Sequence, residues 1–129
     1  MGKKKRILIV EDEEDMQDLM KIYIKRSGLD VEIHSAFTGE EGVEVYESMM
    51  KERKKPDVVI MDLKLPGIDG AEATEKIREI DGKANIYGFT AFFDTRWSDR
   101  LMNAGAKGII PRPIGFSGLV DELKKILGE

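Results

Sequence analysis

Three carboxylates stand where two short apolar runs end. Ile7-Leu8-Ile9-Val10 leads straight into Glu11-Asp12, and Val58-Val59-Ile60-Met61 leads straight into Asp62. A continuous apolar run of this length, bounded by polar residues, reads as a strand buried on both faces, as in a parallel sheet. Open α/β sheets bind their ligands in the crevice outside the carboxyl ends of the strands. Acids converging there repel one another, so a cation is expected among them. Further along, Thr90 and Arg112, the latter just before Pro113, bring a hydroxyl and a fixed positive charge to comparable places. A strand that simply reaches solvent explains one such acid, but not a pair, a single, a hydroxyl and a cation in series.

The elements that must position these groups alternate in type. Strand one is expected from Arg6 to Val10. The helix after it carries Met16, Leu19, Met20, Tyr23 and Ile24 at three-and-four spacing and ends at Ser27-Gly28, glycine supplying a left-handed cap. Val31, Ile33 and Ala36 mark strand two. Thr38-Gly39-Glu40-Glu41 starts a helix with acids in its first turn, which its dipole favours, and Val43, Tyr46 and Met50 continue its apolar face. Strand three spans Asp57 to Met61. A turn-rich loop, Leu65-Pro66-Gly67-Ile68-Asp69-Gly70, precedes a helix bearing Ala73, Ile77 and Ile80. Asn85 to Thr90 is the fourth strand and Thr95 to Ala104 a weakly periodic helix. Gly108-Ile109-Ile110 is the fifth strand, and Phe116, Leu119, Val120, Leu123, Ile126 and Leu127 form the clearest amphipathic helix. Five strand–helix units with short connections imply an α/β domain: a parallel sheet with right-handed crossovers and helices on both faces.

Bulk properties narrow the function classes. The chain has 129 residues, enough for one domain of common size, with 41% hydrophobic and 36% charged residues. A net charge of −4 argues against general nucleic-acid binding, and Lys3-Lys4-Lys5-Arg6 reads as a solvated leader into strand one. There is no cysteine, so neither disulfides nor thiol catalysis are available. No apolar run has the length of a membrane span or a signal-peptide core, and Arg6 stands where a myristoylation signal needs Ser or Thr. A cytoplasmic protein without membrane or nucleic-acid partners is expected, with residues 1–129 forming one domain and no output domain.

In these positions and this order the residues resemble the receiver domain of two-component response regulators, of the stand-alone, chemotaxis-regulator-like kind. The resemblance covers nearly the whole chain. It rests on Glu11-Asp12, on Asp62 with Pro66-Gly67-Ile68-Asp69-Gly70 behind it, on Thr90-Ala91, and on Gly105-Ala106-Lys107-Gly108 leading to Arg112-Pro113. It implies a flavodoxin-like sheet of order 2-1-3-4-5, an order that periodicity alone does not select. It implies that Asp62 is the phosphoacceptor, taking a phosphoryl group from a sensor histidine kinase as an acyl phosphate. It further implies Mg2+ held by Glu11, Asp12, Asp62 and the backbone carbonyl of Lys64, with Thr90 donating its hydroxyl to the phosphoryl group and Arg112 supplying charge. Such a chain is a signalling phosphoacceptor rather than an enzyme, and its output passes to an unidentified downstream protein.

The chain departs from the family pattern at several positions. Arg112 replaces the usual Lys, a planar fork in place of a compact ammonium; it either turns into the site with altered geometry or points to solvent. The Arg112–Pro113 bond resembles the family's cis peptide. Ile109 stands where strand five usually carries an aromatic switch residue, and a β-branched side chain cannot make the same rotamer change. Phe92 and Lys64 flank the path of hydrolytic water in the family, so Phe92 is expected to shield the acyl phosphate and Lys64 to share the cationic role. His34 and Trp97 read as surface or packing residues, and the seven methionines as core filling.

Two other functions compete with this one. A pseudo-receiver that binds a partner without phosphorylation is favoured by Arg112 and Ile109 but opposed by the intact Glu11, Asp12, Asp62 and Thr90. A flavodoxin-like cofactor binder or small phosphatase is opposed by the lack of a P-loop or dinucleotide fingerprint, and by Lys64 where a haloacid-dehalogenase-type phosphatase needs a second acid.

Overall fold

The computed structural model describes residues 4–91 and 96–128. Strands β1 (Lys5–Val10), β2 (Val31–Ala36), β3 (Val58–Met61), β4 (Ile86–Thr90) and β5 (Gly108–Pro111) alternate with helices α1 (Glu14–Arg26), α2 (Gly39–Lys51), α3 (Gly70–Ile80), α4 (Arg96–Asn103) and α5 (Gly115–Leu127). A 3-10 turn, Arg112–Ile114, joins β5 to α5. Every strand pair is parallel and the order is β2-β1-β3-β4-β5, as the resemblance implies. Element limits differ from expectation by a residue or so; Asp57 and Asn85 stand just outside their strands. Thr95 and Phe92 lie outside the described residues.

The strands are apolar throughout because both faces of the sheet are covered. Leu8, Val10, Val59 and Met61 point to one side, against Tyr46 of α2, Ala73 and Ile77 of α3 and Leu101 of α4. Ile7, Ile9, Val58 and Ile60 point to the other, against Met20 and Ile24 of α1 and Leu119 and Leu123 of α5. This is the period-two alternation of a pleated strand, with an apolar layer on either side. Met20, Met49 and Met61 are buried as expected of core filling, whereas Met102 is exposed.

Caps set where the helices begin. Thr38 accepts a hydrogen bond from the Glu41 N–H at 3.0 Å at the start of α2, and Asp69 accepts one from the Glu72 N–H at 2.9 Å at the start of α3. Each satisfies one otherwise orphaned donor. Gly28, at φ +84°, follows the end of α1 in the left-handed conformation.

Helix α1 buries a different face from the one its apolar spacing suggests. Gln17, Met20 and Ile24 are buried, while Leu19 and Tyr23 are about two-fifths exposed. The Gln17 amide explains the rotation. Its Nε2 donates to the carbonyls of Ile9 at 2.9 Å and Ala36 at 3.0 Å, with a longer contact of 3.3 Å to Glu11. A polar residue thus begins the buried stripe and ties α1 to the ends of β1 and β2. The expected cis Arg112–Pro113 peptide is a second correction: there is no cis peptide among the described residues. Pro113 sits inside the 3-10 turn, where its fixed φ and missing N–H are tolerated in the trans form.

Among the described residues no helix is long and apolar enough to cross a membrane. Replacing Gln17 with Leu removes the donor shared by these carbonyls without changing size much. The variant is expected to lose about 1–3 kcal/mol of stability, read from the urea unfolding midpoint; an unshifted midpoint would show that the amide contributes nothing net.

Candidate functional site

Parallel register brings the acids together. Val10 pairs with both Ala36 and Met61, so the residues that follow leave the sheet side by side. The ladder runs one residue further on each strand: Glu11 N–H donates to the Ala36 carbonyl and Asp62 N–H to the Val10 carbonyl, both at 3.0 Å. Glu11, Asp12 and Asp62 each present a carboxylate oxygen within 4.8 Å of the others. Thr90 pairs with Pro111 at the far side of the crevice, which places Arg112 one step beyond β5 and level with the acids. The crevice is an open cleft of about 310 Å³ bordered by Asp12, Asp62, Lys64, Thr90 and Arg112. Glu11, Asp12, Asp62, Lys64, Thr90 and Arg112 therefore gather at this end of the sheet, while Phe92, also expected here, lies outside the described residues.

Arg112 turns inward. One terminal nitrogen donates to Glu11 Oε1 in a short contact and lies 3.5 Å from Asp62 Oδ1. Its Nε donates to the Phe89 carbonyl at 3.2 Å, and the guanidinium carbon lies 4.9 Å from the Phe89 ring centroid. A guanidinium suits this place because its fork serves several acceptors at once while its plane rests on an aromatic ring. Glu11, only 1% exposed, accepts a second hydrogen bond from the Glu13 N–H at 3.1 Å. Asp62 Oδ1 accepts from the Leu63 N–H at 2.8 Å.

Burial and mutual repulsion still outweigh these favourable contacts. Burial raises the Glu11 pKa above its ordinary value, against the opposing pull of Arg112. Asp62 is pushed up to about 6, first by burial and then by the Glu11 charge, with Arg112 opposing. Three carboxylates and one guanidinium leave two negative charges in excess when all are ionised. That excess, and a donor set made of hard oxygens, fits a divalent cation such as Mg2+.

Glycine and the loop after β3 shape the floor. A Cβ on Gly70 would lie 2.2 Å from the Asp62 carbonyl oxygen and 2.9 Å from the Leu63 Cα. Only glycine lets α3 start so close to the acid that the site is built on. The Gly70 N–H donates to the Leu63 carbonyl at 2.8 Å, closing the same loop.

A second group of side chains stands at the rim. Lys64 Nζ lies 5.4 Å from the Trp97 ring centroid, and Arg100 Cζ lies 5.4 Å from the same ring. Contacts of this kind are worth about 0.5–1 kcal/mol at exposed sites. Arg100 also pairs with Asp69 Oδ2 at 2.9 Å, linking α4 to the cap of α3. Ile109 is half-buried against the layer that contains Leu101. His34 is half-exposed beside Glu32 at 3.6 Å, in keeping with a surface role.

Sequence reasoning missed Gln17, the clearance that Gly70 gives and the meeting of Lys64, Trp97 and Arg100, although it named Gly70, Lys64 and Trp97. Gln17 left a faint signal, since 17, 20 and 24 share one helical face, but a count of apolar residues skips it. The clearance at Gly70 depends on how tightly the loop folds back on Asp62, and the meeting of Lys64 with Trp97 on segments distant in sequence.

Residues 7–124 match the family described as the response regulator receiver domain. The chemotaxis protein CheY of Thermotoga maritima is 34% identical over 122 residues, covering 95% of this chain and 97% of that protein. The chemotaxis protein CheY of Halobacterium salinarum is 34% identical over 123 residues, with the same coverage. The crystal structure of a CheY-like receiver domain protein from Methanospirillum hungatei superposes with a TM-score of 0.84 at 28% identity, covering 98% of this chain and 95% of that one.

The raised Asp62 pKa carries a stability consequence. The folded protein holds this proton more tightly than the unfolded chain, so stability falls as pH rises from about 4 through about 6. Without divalent ions, Asp62→Asn is therefore expected to be more stable than the wild type at about pH 8, by about 1–3 kcal/mol, with the gap closing near pH 4. Thermal unfolding across pH measures it; a gap independent of pH would contradict the electrostatic origin.

Proposed function

The chain belongs to the response regulator receiver domain family, and on that premise we propose that Asp62 accepts a phosphoryl group and that the resulting acyl phosphate switches protein contacts. As a receiver domain of a CheY-like response regulator it is a component of two-component signal transduction. The observation that carries the proposal is the meeting of Glu11, Asp12 and Asp62 within 4.8 Å, with Arg112 against two of them and Thr90 across the same cleft.

In this reading each group has a task. A carboxylate oxygen of Asp62 attacks the phosphorus of a phosphohistidine on a sensor kinase. The new bond is O–P, the P–N bond breaks, and the leaving imidazole takes a proton. Positioning and charge stabilisation dominate such a transfer, because negative charge spreads over the equatorial oxygens. Arg112 is held by the Phe89 carbonyl and ring at the edge of the cleft, from which its remaining donors reach a phosphoryl oxygen. Thr90, fully buried at the end of β4, offers its hydroxyl to the same group once it is bound. Glu11, Asp12, Asp62 and the Lys64 carbonyl are the residues that would hold Mg2+, which offsets the repulsion between the acids and the incoming anion.

The chain is thus a phosphoacceptor that assists its own modification. Its partners are a sensor histidine kinase and a downstream protein, met in the cytoplasm, with residues 7–124 acting as the receiver. The pseudo-receiver reading gains nothing from the geometry, since Arg112 turns into the site and none of the acids is displaced from it.

Incubation with acetyl phosphate and Mg2+, followed by intact mass, tests the assignment. The wild type is expected to gain one phosphoryl group. Asp62→Asn is expected to gain none, and chelation of the metal should abolish uptake by the wild type. Modification of Asp62→Asn to the wild-type extent would move the acceptor elsewhere.

A further inference from the structure

A second cleft, of about 550 Å³, shares no lining residue with the acidic one and follows the free edge of the sheet. β2 is the outermost strand and, among the described residues, pairs with β1 alone. Its consecutive residues Val31 to His34 all border the cleft. Val31 and Ile33 pack into the layer that holds α1 and α5. Glu32 and His34 stand in register with Arg6 and Leu8, and Leu8 belongs to the layer on the opposite face. Neighbouring residues of a strand point to opposite faces, so a cleft lined by all four wraps around the outer edge. There, half of the backbone N–H and C=O groups of β2 turn away from β1 and meet no other strand among the described residues.

Both walls of this cleft are basic. Lys21 and Lys25 of α1 stand on one side, and Lys54, beyond the end of α2, stands on the other with the buried Met49. Arg6 is paired with Glu32 at 3.2 Å. Lys21, Lys25 and Lys54 have no ion pair among the described residues, and the remaining acid here is Glu52. A chain of net charge −4 thus carries a local excess of positive charge beside its open strand edge. Lysines that merely guard an edge sit on the edge strand itself. β2, Val-Glu-Ile-His-Ser-Ala, has none; its lysines come from neighbouring elements and face the space that an added strand would fill. Spacing agrees with charge. Lys21 and Lys25, four residues apart on α1, are separated by about 6 Å along the helix axis, and alternate side chains of a strand by about 6.6 Å.

We propose that the outer edge of β2 docks an extended acidic segment of a partner protein, which adds to the sheet as a further strand and sets alternate carboxylates against Lys21 and Lys25. Main-chain hydrogen bonds to β2 supply affinity, and the side chains that alternate along the added strand supply selectivity. Carboxylates fit the α1 side, and apolar side chains fit the other, where Met49 lies. The contact does not depend on Asp62 being the phosphoacceptor.

The probe is a short end-blocked peptide of alternating Glu and Val, titrated into the isotope-labelled full chain while backbone amide resonances are followed. The wild type is expected to bind it, with the shifts concentrated on Val31 to Ala36. Lys21→Glu combined with Lys25→Glu is expected to weaken binding by about tenfold or more and to accept instead a peptide of alternating Lys and Val, which shows that the variant is still folded. The Glu–Val peptide N-methylated at every amide should not bind. No binding by the wild type at millimolar peptide overturns the inference, as do shifts that fall elsewhere on the chain. Equal binding of the methylated peptide overturns it too, since charge alone would then suffice. Self-association of the free wild type through Val31 to Ala36, seen by sedimentation and the same resonances, would make the occupant a second copy and the inference wrong. Each of these outcomes leaves the Asp62 assignment where the phosphodonor experiment puts it.

Discussion

Like charges forced into one crevice at the end of a parallel sheet set the terms for the rest of this structure. Glu11 is almost wholly removed from water, and Asp62 nearly so. Burying a carboxylate is costly unless charge and hydrogen bonds meet it. Arg112 meets part of that demand from the end of β5, across more than a hundred residues of sequence, and the Glu13 and Leu63 amides meet more. The remainder is left over as raised pKa values and excess negative charge. That residual charge is what a divalent cation could offset and, under the proposed function, what a phosphoryl group would rearrange.

Holding such a crevice open requires a rigid surround. The apolar layers on either face of the sheet supply most of it, and two small features finish it. Gln17 spans the ends of β1 and β2 with one amide, so the strands that carry Glu11 and its neighbours cannot separate easily. Gly70 lets α3 begin in contact with the Asp62 backbone. Neither residue touches the cleft, yet each fixes where a carboxylate stands. Such precision belongs to packed elements, and mobility is left to the side chains at the rim.

The departures from the family pattern reinforce one another. A lysine at position 112 would present one point charge; the arginine found there spreads across Glu11, Asp62, a carbonyl and a ring. It is anchored more firmly and is correspondingly less available to a newcomer. Ile109 lies packed in the core layer and lacks the ring that the family uses on β5. Lys64 borders the cleft, and its ammonium meets the ring of Trp97, which Arg100 also approaches. Charge and aromatic surface are thus both present at this site, distributed differently.

Most of the architecture was legible in the sequence because it depends on local patterns. Runs such as Ile7 to Val10 announce buried strands, Thr38 announces a helix start, and alternation of the two element types implies a parallel sheet. The carboxylates at the strand ends were legible for the same reason, since strand termini locate the crevice. What escaped was everything decided by contact across the fold. The particular partners that Arg112 finds on turning inward, the burial of Gln17 in place of Leu19 and the stacking of Lys64 on Trp97 each depend on which distant atom lies opposite. Chain chemistry by itself determined that acids, a hydroxyl and a cation would gather at one end of a doubly covered sheet, because periodicity is written residue by residue. Only the assembled tertiary structure decided which charge neutralises which, because that is settled by distances of a few ångströms between residues the sequence keeps far apart.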